Sequence, residues 1–377
     1  MKFAVGDRDR PPGPDFPGIP MTASASCSTL GKLAASRSRP VLGDGWRLGL
    51  LLGLLALAFV LSFAVGRYPI PLARVGQLLF PWWSGTGGEG AGEMETVMFS
   101  IRLPRILAAL LVGAALSASG AAYQGLFRNP LVSPGILGVS AGASFGAALA
   151  ILLAFNSVGL QLTAFAFGLL AVACTYGVGA VLGRRGEPVL VMILAGVIMA
   201  TLFTAFVSLI KFVADPYNTL PTITYWLMGS LAAVTRDDLT VAAVPFGLGL
   251  AVLLALRWRL NVLAFGDEEA RALGVNTGRL RWLVIFCATL MTATAVAISG
   301  VIGLVGLVVP HLSRLLVGPN YRMLMPVATV MGALFLLLVD DLARSLFPVE
   351  VPLGIITAII GAPFFLYLLV HTRRGWA

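Results

Sequence analysis

The sequence predicts an all-α polytopic membrane protein of about ten transmembrane helices, and three features carry that expectation. The chain of 377 residues is 58% hydrophobic and only 11% charged, with mean hydropathy +0.92. A soluble domain carries about 25% charged residues. The apolar residues gather into ten runs, most of them near the ~20 residues that cross a bilayer. The 26 Lys and Arg residues fall unevenly on the connections between these runs, and that asymmetry orients a membrane protein. The net charge of +9 therefore reads as cytoplasmic Lys and Arg, not as a nucleic-acid surface. Cys27, Cys174 and Cys287 lie far apart with no metal-type spacing, and His311 and His371 cannot build a histidine-rich site alone.

Residues 1–45 are rich in Pro, Gly, Ser and Arg without apolar period, which predicts a disordered cytoplasmic tail, with Met21 as an alternative start. A membrane domain follows over 46–377. Its first span, 48–65, is long for a signal-peptide core and has no clear cleavage site after it. Residues 67–99 read as a loop whose Trp82 and Trp83 suit the lipid headgroups. The second and third spans, 103–124 and 136–155, are separated by Asn129-Pro130, because proline ends helices and restricts the residue before it. Spans four and five, 160–182 and 188–212, are parted by Gly183-Arg184-Arg185-Gly186. A polar stretch with a short amphipathic piece at 225–228 leads to span six, 239–256. The longest charged insert occupies 257–281, and spans seven to ten cover 282–299, 302–316, 325–343 and 353–371.

With both termini inside, most basic residues fall on the cytoplasmic side, in the tail, at Arg128, at Arg184-Arg185 and in the insert. An internal echo supports the count. Ser119-Gly120 precedes Pro130 by the same spacing as Ser299-Gly300 precedes Pro310. The second and seventh spans would run in opposite directions, making spans 2–5 and 7–10 inverted repeats, a plan that places a transport path at the repeat interface.

The stretch 102–146 holds the most specific signal. Arg102-Leu-Pro-Arg105 opens it, and Gly113-Ala114 and Ser119-Gly120 give small residues for close helix approach. Gln124-Gly125, Asn129-Pro130-Leu131, Pro134-Gly135 and Leu137-Gly138-Val139 follow. These spacings resemble the signature of FecCD-type permeases, the membrane subunits of type II ABC importers for haem, ferric siderophores and cobalamin. The resemblance runs from residue 48 to the C-terminus. It implies a bacterial inner-membrane subunit that pairs with a second permease copy, a homodimer by preference. It also implies two ATPase subunits and a periplasmic binding protein.

The same resemblance assigns roles. Arg102, Arg105 and Arg344 match positions that receive acidic residues of the binding protein, a task for which the planar guanidinium is suited. Residues Gly266, Asp267, Glu268, Glu269, Ala270, Arg271, Leu273 and Gly274 match the coupling helix that docks on the ATPase. Read bottom-up, their acids lead and glycine ends the segment, the order of a short capped helix. Asn129, Leu131, Val189 and Leu190 match the cytoplasmic constriction, where the cobalamin member carries hydroxyl groups and this chain has apolar ones at 189 and 190. Pro310-His311 belongs to the second family signature, and a haem-ligand role for the histidine is the weaker reading. Asp340 and Asp341 are the acids within an apolar run. Such acids often form proton relays, but an ion pair with Arg344 one turn on explains them at less cost.

No GxxxxGK[ST] is present, so ATP and Mg would be bound by the separate ATPase and this chain needs no cofactor of its own. No triad or paired carboxylates suggest an enzyme. Small and apolar residues, with Phe203 and Phe206, line the presumed path and lean to haem over a ferric siderophore. A cobalamin permease and an ion-coupled secondary transporter are the alternatives; the latter needs an acid near the bilayer midplane and no ATPase.

Overall fold

The computed structural model describes residues 45–66, 68, 70–79, 91–182, 188–346 and 348–371. The expected tail, Trp82, Trp83 and Arg184-Arg185 lie outside them. Helices are the only regular structure among the described residues. They are α1 (Gly45–Ser62), α2 (Leu72–Leu79), α3 (Ala91–Thr96), α4 (Leu103–Leu126), α5 (Val139–Leu152), α6 (Ser157–Leu182), α7 (Pro188–Val213), α8 (Thr219–Leu227), α9 (Arg236–Leu263), α10 (Asp267–Ala272), α11 (Thr277–Ser299), α12 (Val305–Val317), α13 (Tyr321–Ser345) and α14 (Leu353–His371). Seven of the helical stretches are long and apolar enough to span a bilayer, and α5, α12 and α14 are shorter apolar helices. Each of the ten predicted runs corresponds to one of these.

The centre is α4, most of whose residues are buried. It packs antiparallel to α13: Arg105 meets Asp340, Gly113 meets Gly332, Ser117 bonds the Ala328 carbonyl and Gly125 meets Tyr321. A Cβ on Gly113 would fall 2.2 Å from the Gly332 carbonyl oxygen, and one on Gly120 would fall 1.8 Å from that of Gly306. These backbones touch because nothing larger than hydrogen separates them, which is how helices associate in lipid. α11 also runs antiparallel to α4: Ser119 donates to the Ala288 carbonyl and Tyr123, one turn on, to that of Ile285 at 3.4 Å, with its hydroxyl also 2.8 Å from Thr289 Oγ1.

α4 packs on α11, α12 and α13, and α11 packs on α4, α5 and α6. Two corresponding helices, antiparallel to each other and each holding the partners of the other one repeat away, give the contact pattern of an inverted repeat.

The structure departs from the sequence expectation at three places. The 67–99 loop contains α2, α3 and a π-helical turn, Val97–Arg102, that runs directly into α4. Pro104 explains the widening. Leu103 N–H bonds back to the Met98 carbonyl, and proline at 104 has no N–H for the Phe99 carbonyl. Arg236, in the first turn of α9, donates to that carbonyl at 2.6 Å instead. Second, the helix expected to end at 256 continues through Leu263, and α11 begins at Thr277, so the insert of 257–281 shrinks to the segment around α10. The extension persists because Leu260 and Leu263 are buried and Asn261 bonds Asn320 and the backbone of Tyr321. Third, α5 and α12 start later than expected: Gly138 (φ 87°) precedes α5, while Gly300 (φ 68°) ends α11 and Leu304 (φ 65°) precedes α12. A side chain at either glycine would be strained.

Candidate functional site

Polar side chains collect at two ends of the bundle. At the first, α1 ends, α4 begins and α13 ends. Asp340 is fully buried and shared between two arginines. Arg105 Nε donates to its carboxylate at 2.9 Å, and Arg344 Nε lies 3.1 Å from Oδ2, an ion-pair contact without hydrogen-bond alignment. Arg105 Nη1 reaches both Glu350 oxygens at 2.9 Å. Arg344 also pairs with Asp341, donates to Ser62 Oγ at 2.8 Å and donates to the Val65 carbonyl at 3.2 Å. Ser62 in turn donates to Asp341 at 2.6 Å. Arg102 donates to the carbonyls of Phe63 and Tyr68 and lies on Gly66, whose φ of 141° and missing Cβ leave room for the guanidinium.

Three guanidiniums thus face three carboxylates, Asp340, Asp341 and Glu350. All three arginines are below a tenth exposed. The predicted pairing of Asp340 and Asp341 with Arg344 is present. No local pattern marks Glu350, which follows Pro348 in the connection before α14.

At the opposite end α4 finishes and α9, α10 and α11 meet. Gln124 donates to the Leu307 carbonyl at 3.3 Å and accepts from Arg314 at 3.1 Å. Asn129 Oδ1 accepts from Leu131 N–H at 2.9 Å, a local turn that follows Arg128 at φ 48°. Leu131 is half exposed. Val189 and Leu190 stand in the first turn of α7, and Leu190 is exposed.

Gly266, at φ 127°, starts α10. A Cβ there would lie 2.2 Å from Glu269 and 3.7 Å from Arg128 Nη1, so the Asn129 turn and the insert are neighbours. Asp267 pairs with Arg281 at 2.9 Å, Arg271 donates to Thr277 at 3.3 Å, and Ala270 is fully buried, which pins α10 to α11. Gly274, at φ 77°, closes the turn. Glu268 and Glu269 are exposed, and Phe265 and Leu273 are exposed by 73% and 63%. Acidic and apolar groups therefore share one outward edge.

Between the ends, Phe203 is buried against Phe145 and Phe206, so it does not line an open path as expected. A cavity of about 510 Å³ lies instead between the turn at Pro134–Leu137 and α7, lined by Val197, Thr201, Thr204 and Ser208. His311 falls mid-way along α12. It is buried, and neither ring nitrogen has a hydrogen-bond partner among the described residues. No group of metal-binding side chains occurs among them.

A bundle of apolar helices with polar side chains gathered at two ends is the frame of a membrane permease. Residues 54–371 match the FecCD transport family, and the chain belongs to it: it is a multi-pass ABC-transporter permease, a transport component and not an enzyme. It is 46% identical to the molybdate import system permease protein of Haemophilus influenzae over 85% of this chain and 94% of that one. It is 44% identical to the cobalamin import system permease protein of Halobacterium salinarum (82% and 84%) and 37% identical to the hemin transport system permease protein of Yersinia pestis (86% and 96%). A solved metal-chelate type ABC transporter in an inward-facing conformation superposes with TM-score 0.77 at 42% identity, over 87% of this chain and 99% of that one.

Proposed function

We propose that this permease carries a compact, polar metal species, a metal oxyanion or small ferric chelate, across a bacterial inner membrane. The observation that carries this reading is the hydroxyl-bearing cavity beside α7. Thr201, Thr204 and Ser208 stand on a mostly apolar wall with hydroxyls that donate to carbonyls of their own helix, and the wall carries no guanidinium and no aromatic platform. Such a wall lets a hydrated anion pass without trapping it. The similarity to a molybdate permease points the same way. Haem, favoured by the sequence, keeps only one of its two aromatics, since Phe203 is buried and Phe206 alone is exposed.

Two copies form the path, each docking one ATPase that binds ATP and Mg. The end with α10 is cytoplasmic. Phe265, Glu268, Glu269 and Leu273 meet the ATPase, and Asn129, Leu131, Val189 and Leu190 narrow the exit. The periplasmic binding protein docks at the end with Arg102, Arg105 and Arg344. Their forks are already engaged, so docking works by exchange. Glu350, whose side chain is 28% exposed, is the partner that an incoming carboxylate replaces on Arg105, while buried Asp340 stays.

The test is uptake into proteoliposomes holding this chain and its ATPase, with ATP inside. Binding protein loaded in turn with molybdate, ferric hydroxamate, haem or cobalamin is supplied outside. ATP-dependent entry of molybdate or the ferric hydroxamate is expected. Entry of haem or cobalamin alone would move the cargo, and entry without the ATPase would replace the importer with a secondary transporter.

A further inference from the structure

A second cavity, of about 490 Å³, opens where the insert rejoins the spanning helices. Leu256, Leu280 and Leu283 form its apolar wall, and Trp258, Arg259 and Arg279 stand at its rim. Its depth in the membrane follows from the helices. The apolar part of α9 ends at Leu256 and that of α11 begins at Trp282. Trp258 and Trp282 are both more than half exposed, as indoles are at headgroup level. No carboxylate lines the cavity. The neighbouring basic residues are engaged: Arg257 donates to the Arg322 carbonyl, Arg271 to Thr277, and Arg281 pairs with Asp267. The guanidiniums of Arg259 and Arg279 have no hydrogen bond or ion pair among the described residues.

Two unpaired guanidiniums over an apolar wall, at headgroup depth, match one ligand chemistry. A phosphate diester takes charge-assisted hydrogen bonds from the forks, and an acyl chain lies along half-buried Leu283 and the exposed Leu273 and Trp258, above a floor of buried Leu256 and Leu280. Basic pockets between helices at the membrane surface select anionic headgroups in this way. We infer that this cavity is a binding site for an anionic glycerophospholipid. Leu273 shares the cavity wall, so the bound lipid abuts the segment joining α10 to α11. This goes beyond the importer reading and holds whichever cargo is carried.

Native mass spectrometry of the full chain in detergent, titrated with phosphatidylglycerol or phosphatidylcholine, tests it. Phosphatidylglycerol should be retained in preference, and the paired Arg259→Gln and Arg279→Gln substitutions should weaken that retention by about tenfold or more. The paired Lys variant should keep most of it and confirms that the site folds. Equal retention by the Gln variant, equal binding of phosphatidylcholine, or displacement of phosphatidylglycerol by inorganic phosphate would each overturn the site. So would a loss of ATPase capture by the Gln variant with lipid retention unchanged, which would make the cavity part of the subunit interface.

Discussion

At Asp340 one buried carboxylate is shared by two buried guanidiniums, and removing it leaves Arg105 with Glu350 and Arg344 with Asp341 as the remaining carboxylate. Breaking a buried pair by deleting one partner costs about 3–5 kcal/mol. Asp340→Asn should therefore lower the thermal unfolding temperature of the purified chain more than Asp341→Asn, whose partner Arg344 keeps other contacts. Equal shifts would show that Asp340 is not the hub. Glycines give a second contrast. Gly120→Ala drives a methyl into the Gly306 backbone and should cost about 1–3 kcal/mol or more. Gly247→Ala, in α9 with nothing within 4 Å, should be neutral or stabilise by up to about 1 kcal/mol. Unfolding in one detergent checks both. The spacing of Ser119-Gly120 marked the first glycine as a packing site. Nothing local separates it from Gly247, because the approaching backbone lies far along the chain.

Among the elements, the turn from π to α at Pro104 ties α4 to α9 through a single carbonyl. Removing Arg236 leaves the Phe99 oxygen without its side-chain donor, and because the bond is exposed the loss is about 0.5–1.5 kcal/mol. Pro104→Ala restores a backbone N–H, so Arg236→Ala should cost less in that background, and a double-mutant cycle reads the difference. Additive losses would mean that Arg236 and Pro104 do not share the carbonyl. α10 makes a matching case. Its acidic start and terminal glycine were legible, but its anchoring was not. The Asp267 to Arg281 pair and the burial of Ala270 join residues on either side of a turn. Docking on the ATPase should fail with Leu273→Asp, at 63% exposure, while unfolding barely moves; a capture assay beside a thermal scan separates the two.

For the whole molecule, the two polar ends define sides. If the α10 end is cytoplasmic, a cysteine placed at Glu268 should react with a membrane-impermeant maleimide only in inverted vesicles. Labelling from the periplasm would reverse the orientation. At the other end, Glu350→Gln removes one intramolecular competitor for Arg105. It should tighten binding-protein docking by severalfold, about the factor carried by one charge-assisted hydrogen bond. Weaker docking would make Glu350 part of the dock and not a placeholder. Cargo uptake by the reconstituted transporter remains the measurement at this scale.

The sequence by itself determined the class. Ten apolar runs, the Lys and Arg asymmetry and the spaced small residues of the Arg102 to Gly146 stretch are one-dimensional signals, since the bilayer constrains length and hydropathy residue by residue. The family and the short helix of the insert were legible there, and each of the ten runs is helical, although only seven of the helical stretches among the described residues are long enough to span a bilayer. Tertiary structure decided what these residues touch. Arg102 and Arg105 read as free forks in a linear chain and Arg344 as the partner of Asp340 and Asp341, yet all three are also buried against groups 34 to 282 positions away. Burial of an ion in a low-dielectric bundle demands partners that no local pattern names. The π turn, the extended α9 and the lipid-depth cavity likewise depend on which surface arrives from elsewhere in the chain.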